Sequence, residues 1–141
     1  MKTIAVDFDR VIHAYSKGWG DGSIYDQPVP GVQRTLERLR RAGYRIVIYT
    51  TRAADRVIDG EHQNGQLEEV IDWLNLFGIP YDEVFAGEKP IFTALIDDRA
   101  IRFDPRPSWW RTIFGLRTPW DLCEDALEKL GILKPGQGEE P

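Results

Sequence analysis

The sequence predicts an α/β fold of three layers, a parallel sheet with helices on both faces, and three observations predict it. Short apolar runs at residues 4–8, 44–49 and 93–96 each reach their end at polar groups: Asp7 and Asp9, then Thr50, then Asp97 and Asp98. Stretches of helical periodicity lie between the first and second runs and before the third. Strands alternating with helices call for parallel crossovers, which bring those polar ends to one edge of the sheet.

The elements follow in order. Residues 4–8 read as a buried strand, almost wholly apolar apart from Asp7. On a strand, residues two apart share a face, so Asp7 and Asp9 point the same way. Residues 14–25 form a glycine-punctuated loop or small hairpin whose Tyr15, Trp19 and Tyr25 either cover a pocket beside the two acids or pack on its rim. A helix starts after Pro28, Val29, Pro30 and Gly31, with Val32, Leu36, Leu39 and Ala42 at helical spacing. Arg38, Arg40 and Arg41 near its end read as a solvated face, and Gly43 as its C-terminal cap. Residues 44–49 are the second strand; residues 53–65 are polar and show no periodicity. Residues 66–77 form a helix with Leu67, Val70, Ile71, Leu74 and Phe77 on one face, stopped by Gly78 and Pro80. A short strand over 82–85 leads through a loop containing Lys89 to the strand over 93–96. Ser108 can cap a short helix, and Thr118-Pro119-Trp120-Asp121 reads as a capping box with proline at the first helical position, followed by Leu122, Ala126, Leu127 and Leu130. The chain fits one domain over 1–135, with 136–141 as a frayed tail.

Composition narrows the function. Of 141 residues, 42% are apolar and 29% charged, as in ordinary globular proteins, and 23 acids against 18 bases leave a net charge of −5. That balance argues against non-specific binding to nucleic acid or an anionic membrane. Cys123, the single cysteine, forms no internal disulfide, so nothing calls for an oxidising compartment. No apolar run approaches the roughly 18 residues of a membrane span, and Met1 runs straight into the first strand with no room for a signal peptide. A cytoplasmic location is expected.

Two acids side by side at a strand end repel unless a cation or shared proton compensates. With a hydroxyl, a lysine and a second acidic pair at later strand ends, the set suits phosphoryl transfer. A carboxylate attacks phosphorus, magnesium neutralises the anions, hydroxyl and ammonium donors hold the phosphoryl oxygens, and an acid protonates the leaving alcohol.

Asp7-Phe8-Asp9-Arg10-Val11, Thr50, Lys89 and Asp97-Asp98, in this order and spacing, resemble the four motifs of the haloacid dehalogenase (HAD) superfamily, over about residues 1–103. The resemblance implies a Rossmann-like HAD fold and a magnesium-dependent phosphatase. Asp7 would be the nucleophile, forming an aspartyl-phosphate, and also a metal ligand. Asp9 would be the general acid/base, lending its backbone carbonyl to the metal. Thr50 would bond the phosphoryl group and Lys89 would pair with it and with Asp7. Asp97 would be the main late metal ligand, and Asp98 a second ligand or a partner to Lys89. The superfamily's dehalogenases lack the second acid, which is present here as Asp9. The gaps between motifs leave no room for a large cap domain. A capless site implies accessible phosphate esters (phosphorylated small molecules or polymer ends) or closure by a neighbouring subunit of a homo-oligomer. Trp109, Trp110 and Trp120 either serve that association or pack the C-terminal helices onto the sheet.

Arg10 departs from the pattern, standing where the family usually has glycine; the turn after Asp9 must then suit a side chain. Arg10 either points away, adds a charge to substrate binding, or obstructs the pocket. Thr51 competes with Thr50 for the phosphoryl contact. Arg52 and Arg99 either buttress the acidic cluster or contact substrate anions. His13 sits close enough to the site to matter but reads more readily as a rim or packing residue, and His62 reads as a surface one. Two other classes compete. A binding module on a weakened enzyme fold is kept open by Arg10. A receiver-type phospho-accepting domain is disfavoured because its acidic pair opens the chain and its lysine comes late, whereas here an acidic pair follows Lys89.

Overall fold

The computed structural model describes residues 2–87, 101, 103 and 118–136. Among these the architecture is α/β, with β1 (Thr3–Val6), β2 (Arg45–Tyr49) and β5 (Glu83–Phe85) in a parallel sheet of order β1-β2-β5. Helix α1 (Val32–Arg41) links β1 to β2, and α2 (Leu67–Leu76) lies between β2 and β5. Val6 pairs with Ile48, and Tyr49 with Phe85, so Asp7 and Thr50 leave neighbouring strands at the same carboxyl edge. The first strand is shorter than its apolar run. Beyond Asp7 the chain curls, and Ile12 N–H (2.8 Å) and His13 N–H (2.9 Å) both donate to the Phe8 carbonyl.

The three α-helices among the described residues close in the same way. Gly43, Gly78 and Gly131 take left-handed φ, and the following N–H reaches back to Leu39, Leu74 or Leu127. The core beneath the sheet includes Val6, Phe8, Ile12, Leu36, Ile46, Ile48, Val70, Trp73 and Leu74. Trp73 belongs to the buried face of α2, which its leucine and valine spacing alone does not reveal.

The arginine run of α1 is not uniformly solvated. Arg40 and Arg41 are exposed, but Arg38 is buried, with Nη1 donating to Glu124 (2.7 Å) and Nη2 to Glu128 (3.3 Å) on α3 (Pro119–Lys129). Helix α3 begins with the expected capping box: Asp121 N–H donates to Thr118 Oγ1 (3.1 Å), and Thr118 N–H to the Asp121 carboxylate. Trp120 is buried against the core and donates Nε1–H to the Val11 carbonyl (3.1 Å). Burying side chains such as Trp120, Leu127 and Leu133 stabilises by roughly 1.5–3 kcal/mol each, whereas an exposed pair such as Arg34–Asp121 contributes about 0–1 kcal/mol. Apolar burial therefore contributes more to docking α3 than that exposed pair does. Gly31, at φ 93°, lets this happen: a Cβ there would meet Thr118 Oγ1 and Trp120 Cβ at 2.9 Å.

Trp120 thus packs the C-terminal helix; Trp109 and Trp110 lie outside the described residues, as do the runs at 93–96 and 108–114 and tail residues 137–141. The polar 53–65 stretch is not structureless. It contains the short hairpin β3 (Arg56–Ile58) and β4 (Glu61–Gln63), joined by Asp59-Gly60 with both φ positive, the turn that matches strand twist. Among the described residues no helix is long and apolar enough to cross a membrane.

Candidate active site at the carboxyl edge of the sheet

The edge is assembled from the ends of β1 and β2 and from the 14–27 loop. Asp7 is exposed, and its Oδ1 accepts the Phe8 N–H (2.8 Å). Thr50 is buried at the end of β2. Its hydroxyl accepts the Arg52 N–H (3.3 Å) and caps a short 3₁₀ turn, Thr51–Ala53. Thr51 is partly exposed, and its carbonyl accepts from Arg56.

Asp9 is the hub. Its side chain is 21% exposed, and both oxygens accept bonds from fully buried donors: Oδ1 from His13 Nδ1 (2.8 Å), Oδ2 from Arg52 Nε (2.6 Å). Arg52 continues through Nη1 to the Gly22 carbonyl (2.7 Å) and Gln66 Oε1 (2.7 Å), tying the β1 end, the loop and the start of α2 together. Its guanidinium lies 4.5 Å from the Trp19 ring centroid and 5.6 Å from that of Tyr15. Nη2 is buried and has no hydrogen-bond partner among the described residues. Arg52 therefore buttresses Asp9 in this structure.

The aromatic loop covers this hub. Tyr15 and Tyr25 meet the His13 ring edge-on at 5.8 and 5.4 Å, and Trp19 covers Arg52 while remaining 46% exposed. The loop neck is clasped by Ala14 N–H to the Gln27 carbonyl (3.0 Å) and Ser16 N–H to Asp26 Oδ2 (2.8 Å). Hydrogen bonding from Ser16 holds the Asp26 carboxyl below the usual carboxylate range. Burial, and then the Asp9 carboxylate, push the Tyr15 phenol upward.

Arg10 does not find a turn suited to a side chain. Its φ is 68°, a left-handed conformation costing about 1–2 kcal/mol without glycine, while its N–H donates to the His13 carbonyl (2.8 Å). The side chain is exposed and lies over the Tyr15 ring at 5.7 Å, toward the loop. Tyr15 is itself left-handed, at φ 55°. Strained backbone of this kind persists where the surroundings over-determine it, and here it brackets His13.

His13 is the residue the sequence undervalues. It is not on the rim: it is fully buried, and it bonds Asp9. Spacing alone offers little warning, because four residues apart is a contact distance only if the chain turns, and the turn is closed by the Phe8 carbonyl. His62 is exposed on β4, as expected. Lys89, Asp97, Asp98 and Arg99 lie outside the described residues, and among the described residues no three His, Cys, Asp or Glu side chains gather as a metal site.

The fold and this edge define an α/β protein with a parallel sheet, polar at its carboxyl end. Among solved structures, the crystal structure of a target protein from Vibrio cholerae is similar, with 26% sequence identity and a TM-score of 0.56 over 72% of this chain and 84% of that one. No family model and no curated protein matches the sequence.

Proposed function

We propose that this protein is a magnesium-dependent phosphomonoester hydrolase of the HAD type, with Asp7 as nucleophile and Asp9 as general acid/base. The observation that carries the reading is the placement of Asp7 and Thr50 directly after two neighbouring parallel strands, with Asp9 in the curl two residues beyond Asp7, where α/β sheets bind ligands. Asp7 Oδ attacks phosphorus as the ester P–O bond breaks, and the leaving alkoxide takes a proton from Asp9. Water then attacks the aspartyl-phosphate, giving its proton to Asp9 and releasing Asp7. Each Asp9 oxygen keeps a lone pair beyond its bond to His13 or Arg52, so both remain able to carry that proton.

The donor set fits magnesium in kind. Asp7 offers an exposed carboxylate, and among the described residues no backbone N–H donates to the Asp9 carbonyl oxygen, leaving it open to a hard cation. Asp7, that carbonyl, Asp97 and Asp98 would hold the ion, which when bound neutralises charge on the phosphoryl oxygens. Lys89 and Thr50 or Thr51 would hold the phosphoryl group, and Arg10 lies near enough to the loop to add a charge at the entrance.

Hydrolysis of an aryl phosphate, and of a panel of phosphate esters, tests the reading. Magnesium-dependent turnover is expected, lost on chelation and lowered by roughly 10³-fold or more in Asp7→Asn. Absence of turnover in both the native protein and Arg10→Gly rejects it in favour of a binding module on the same fold, and turnover that Asp7→Asn leaves intact rejects Asp7 as the nucleophile.

A further inference from the structure

We propose that His13 is a positioning residue for Asp9, held in one tautomer by the backbone of the 14–27 loop. The consequence for turnover rests on the hydrolase reading above; the hydrogen-bond geometry does not. The Asp26 backbone N–H points at His13 Nε2 (3.1 Å). A backbone N–H can only donate, so Nε2 must accept, and the ring proton sits on Nδ1, where it is given to Asp9 Oδ1 (2.8 Å).

The Asp26 amide is itself fixed. Its carbonyl accepts Trp73 Nε1–H (3.1 Å), and its carboxylate takes the Ser16 N–H (2.8 Å). The ring cannot swing away from this register. Phe8 stacks on it at 5.4 Å and 19°, and Trp73, Tyr25 and Tyr15 close the other sides edge-on. The contrast in exposure argues for a role beyond filling the core. Asp9 still reaches solvent, yet both donors that hold it are wholly buried, so they orient the carboxylate from behind without sealing it. Because the Nε2 partner belongs to the loop, the loop backbone and the aim of Asp9 are fixed through one chain of hydrogen bonds.

Three substitutions of His13, and spectra of the native protein and of Asp9→Ala, test this. Asparagine can offer an N–H near the position of Nδ1, whereas glutamine places its N–H near that of Nε2. His13→Ala and His13→Gln are expected to lower kcat roughly 10- to 100-fold with KM within about twofold, while His13→Asn recovers most of the loss. Long-range ¹H–¹⁵N correlation on the intact protein should show the proton on Nδ1, slow to exchange with solvent; in Asp9→Ala it should stay on Nδ1 and exchange faster. A proton on Nε2 overturns the proposal whatever the turnover. So does equal, undiminished kcat in folded His13→Asn and His13→Gln. If the native protein has no Asp7-dependent turnover, the hydrolase reading falls alone, and the spectrum decides: an Nδ1–H whose exchange quickens in Asp9→Ala supports positioning, and one whose exchange is unchanged there refutes it.

Discussion

Replacing Arg52 with methionine removes a charge from the centre of the molecule while keeping most of its volume. The cost follows from what each partner retains. The Gly22 carbonyl still accepts Gln66 Nε2–H (2.9 Å), and Asp9 keeps His13 and enough exposure for water to replace the lost donor. Gln66 Oε1 loses its Arg52 donor, and Trp19 loses the cation on its face. The loss therefore falls below the roughly 3–5 kcal/mol expected when a sealed charge is left unpaired. An orphaned acceptor at about 1–3 kcal/mol and a half-exposed cation–π contact at about 0.5–1 kcal/mol place it at about 2–3 kcal/mol. With a urea m-value of about 2 kcal/mol/M, the unfolding midpoint drops by roughly 1–1.5 M. A cycle with Asp9→Ala should give a coupling of about 1–3 kcal/mol, and Trp19→Ala should cost less once Arg52 is gone. A midpoint shift under about 0.5 M, or additive Asp9 and Arg52 effects, would refute the account of Arg52 as the joint between strand end, loop and helix.

Three further outcomes are expected at the C-terminal helix. Thr118→Ala removes one half of the capping box and should cost about 1 kcal/mol, a fall in Tm of roughly 3–5 °C by thermal melting. Burial pushes the Asp121 carboxyl up, but hydrogen bonds from Arg34 and Thr118 outweigh it and leave it below the ordinary value. Its stabilisation is thus present above the unfolded value of about 3.9 and is lost as pH falls through the lower folded value. The stability gap between native protein and Asp121→Asn should be constant from pH 7 to about 5 and close below about 4; a gap that widens on acidification contradicts this. Burial, with Glu124 nearby, pushes the Cys123 thiol up to about 11, leaving about one molecule in a thousand as thiolate at pH 8. Iodoacetamide should label it slowly in the folded protein and quickly in urea, and prompt native labelling would show that α3 is not docked as described.

The polar strand ends were legible because they depend on short stretches. Asp7 after an apolar run, Thr50 after another and the Thr118–Asp121 cap are read within a few residues, and the described structure keeps all three. The Asp59-Gly60 hairpin was legible in principle, since that dipeptide favours the required turn, but its strands carry no alternating apolar face to announce them. Arg10 was legible as an anomaly, although its left-handed backbone was not.

By itself the sequence determined the α/β class, the order of the three parallel strands and three α-helices among the described residues, and which residue types reach the ends of β1 and β2, because periodicity, caps and strand termini are local properties of the chain. Only the tertiary structure decided what those ends do to one another. Arg52 meets Asp9 across 43 positions, Arg38 is buried by Glu124 across 86, and His13 turns from a packing residue into the partner of Asp9. Such pairings depend on how distant surfaces pack and on which polar groups burial leaves in need of a donor. No pattern within one helix or strand carries that information.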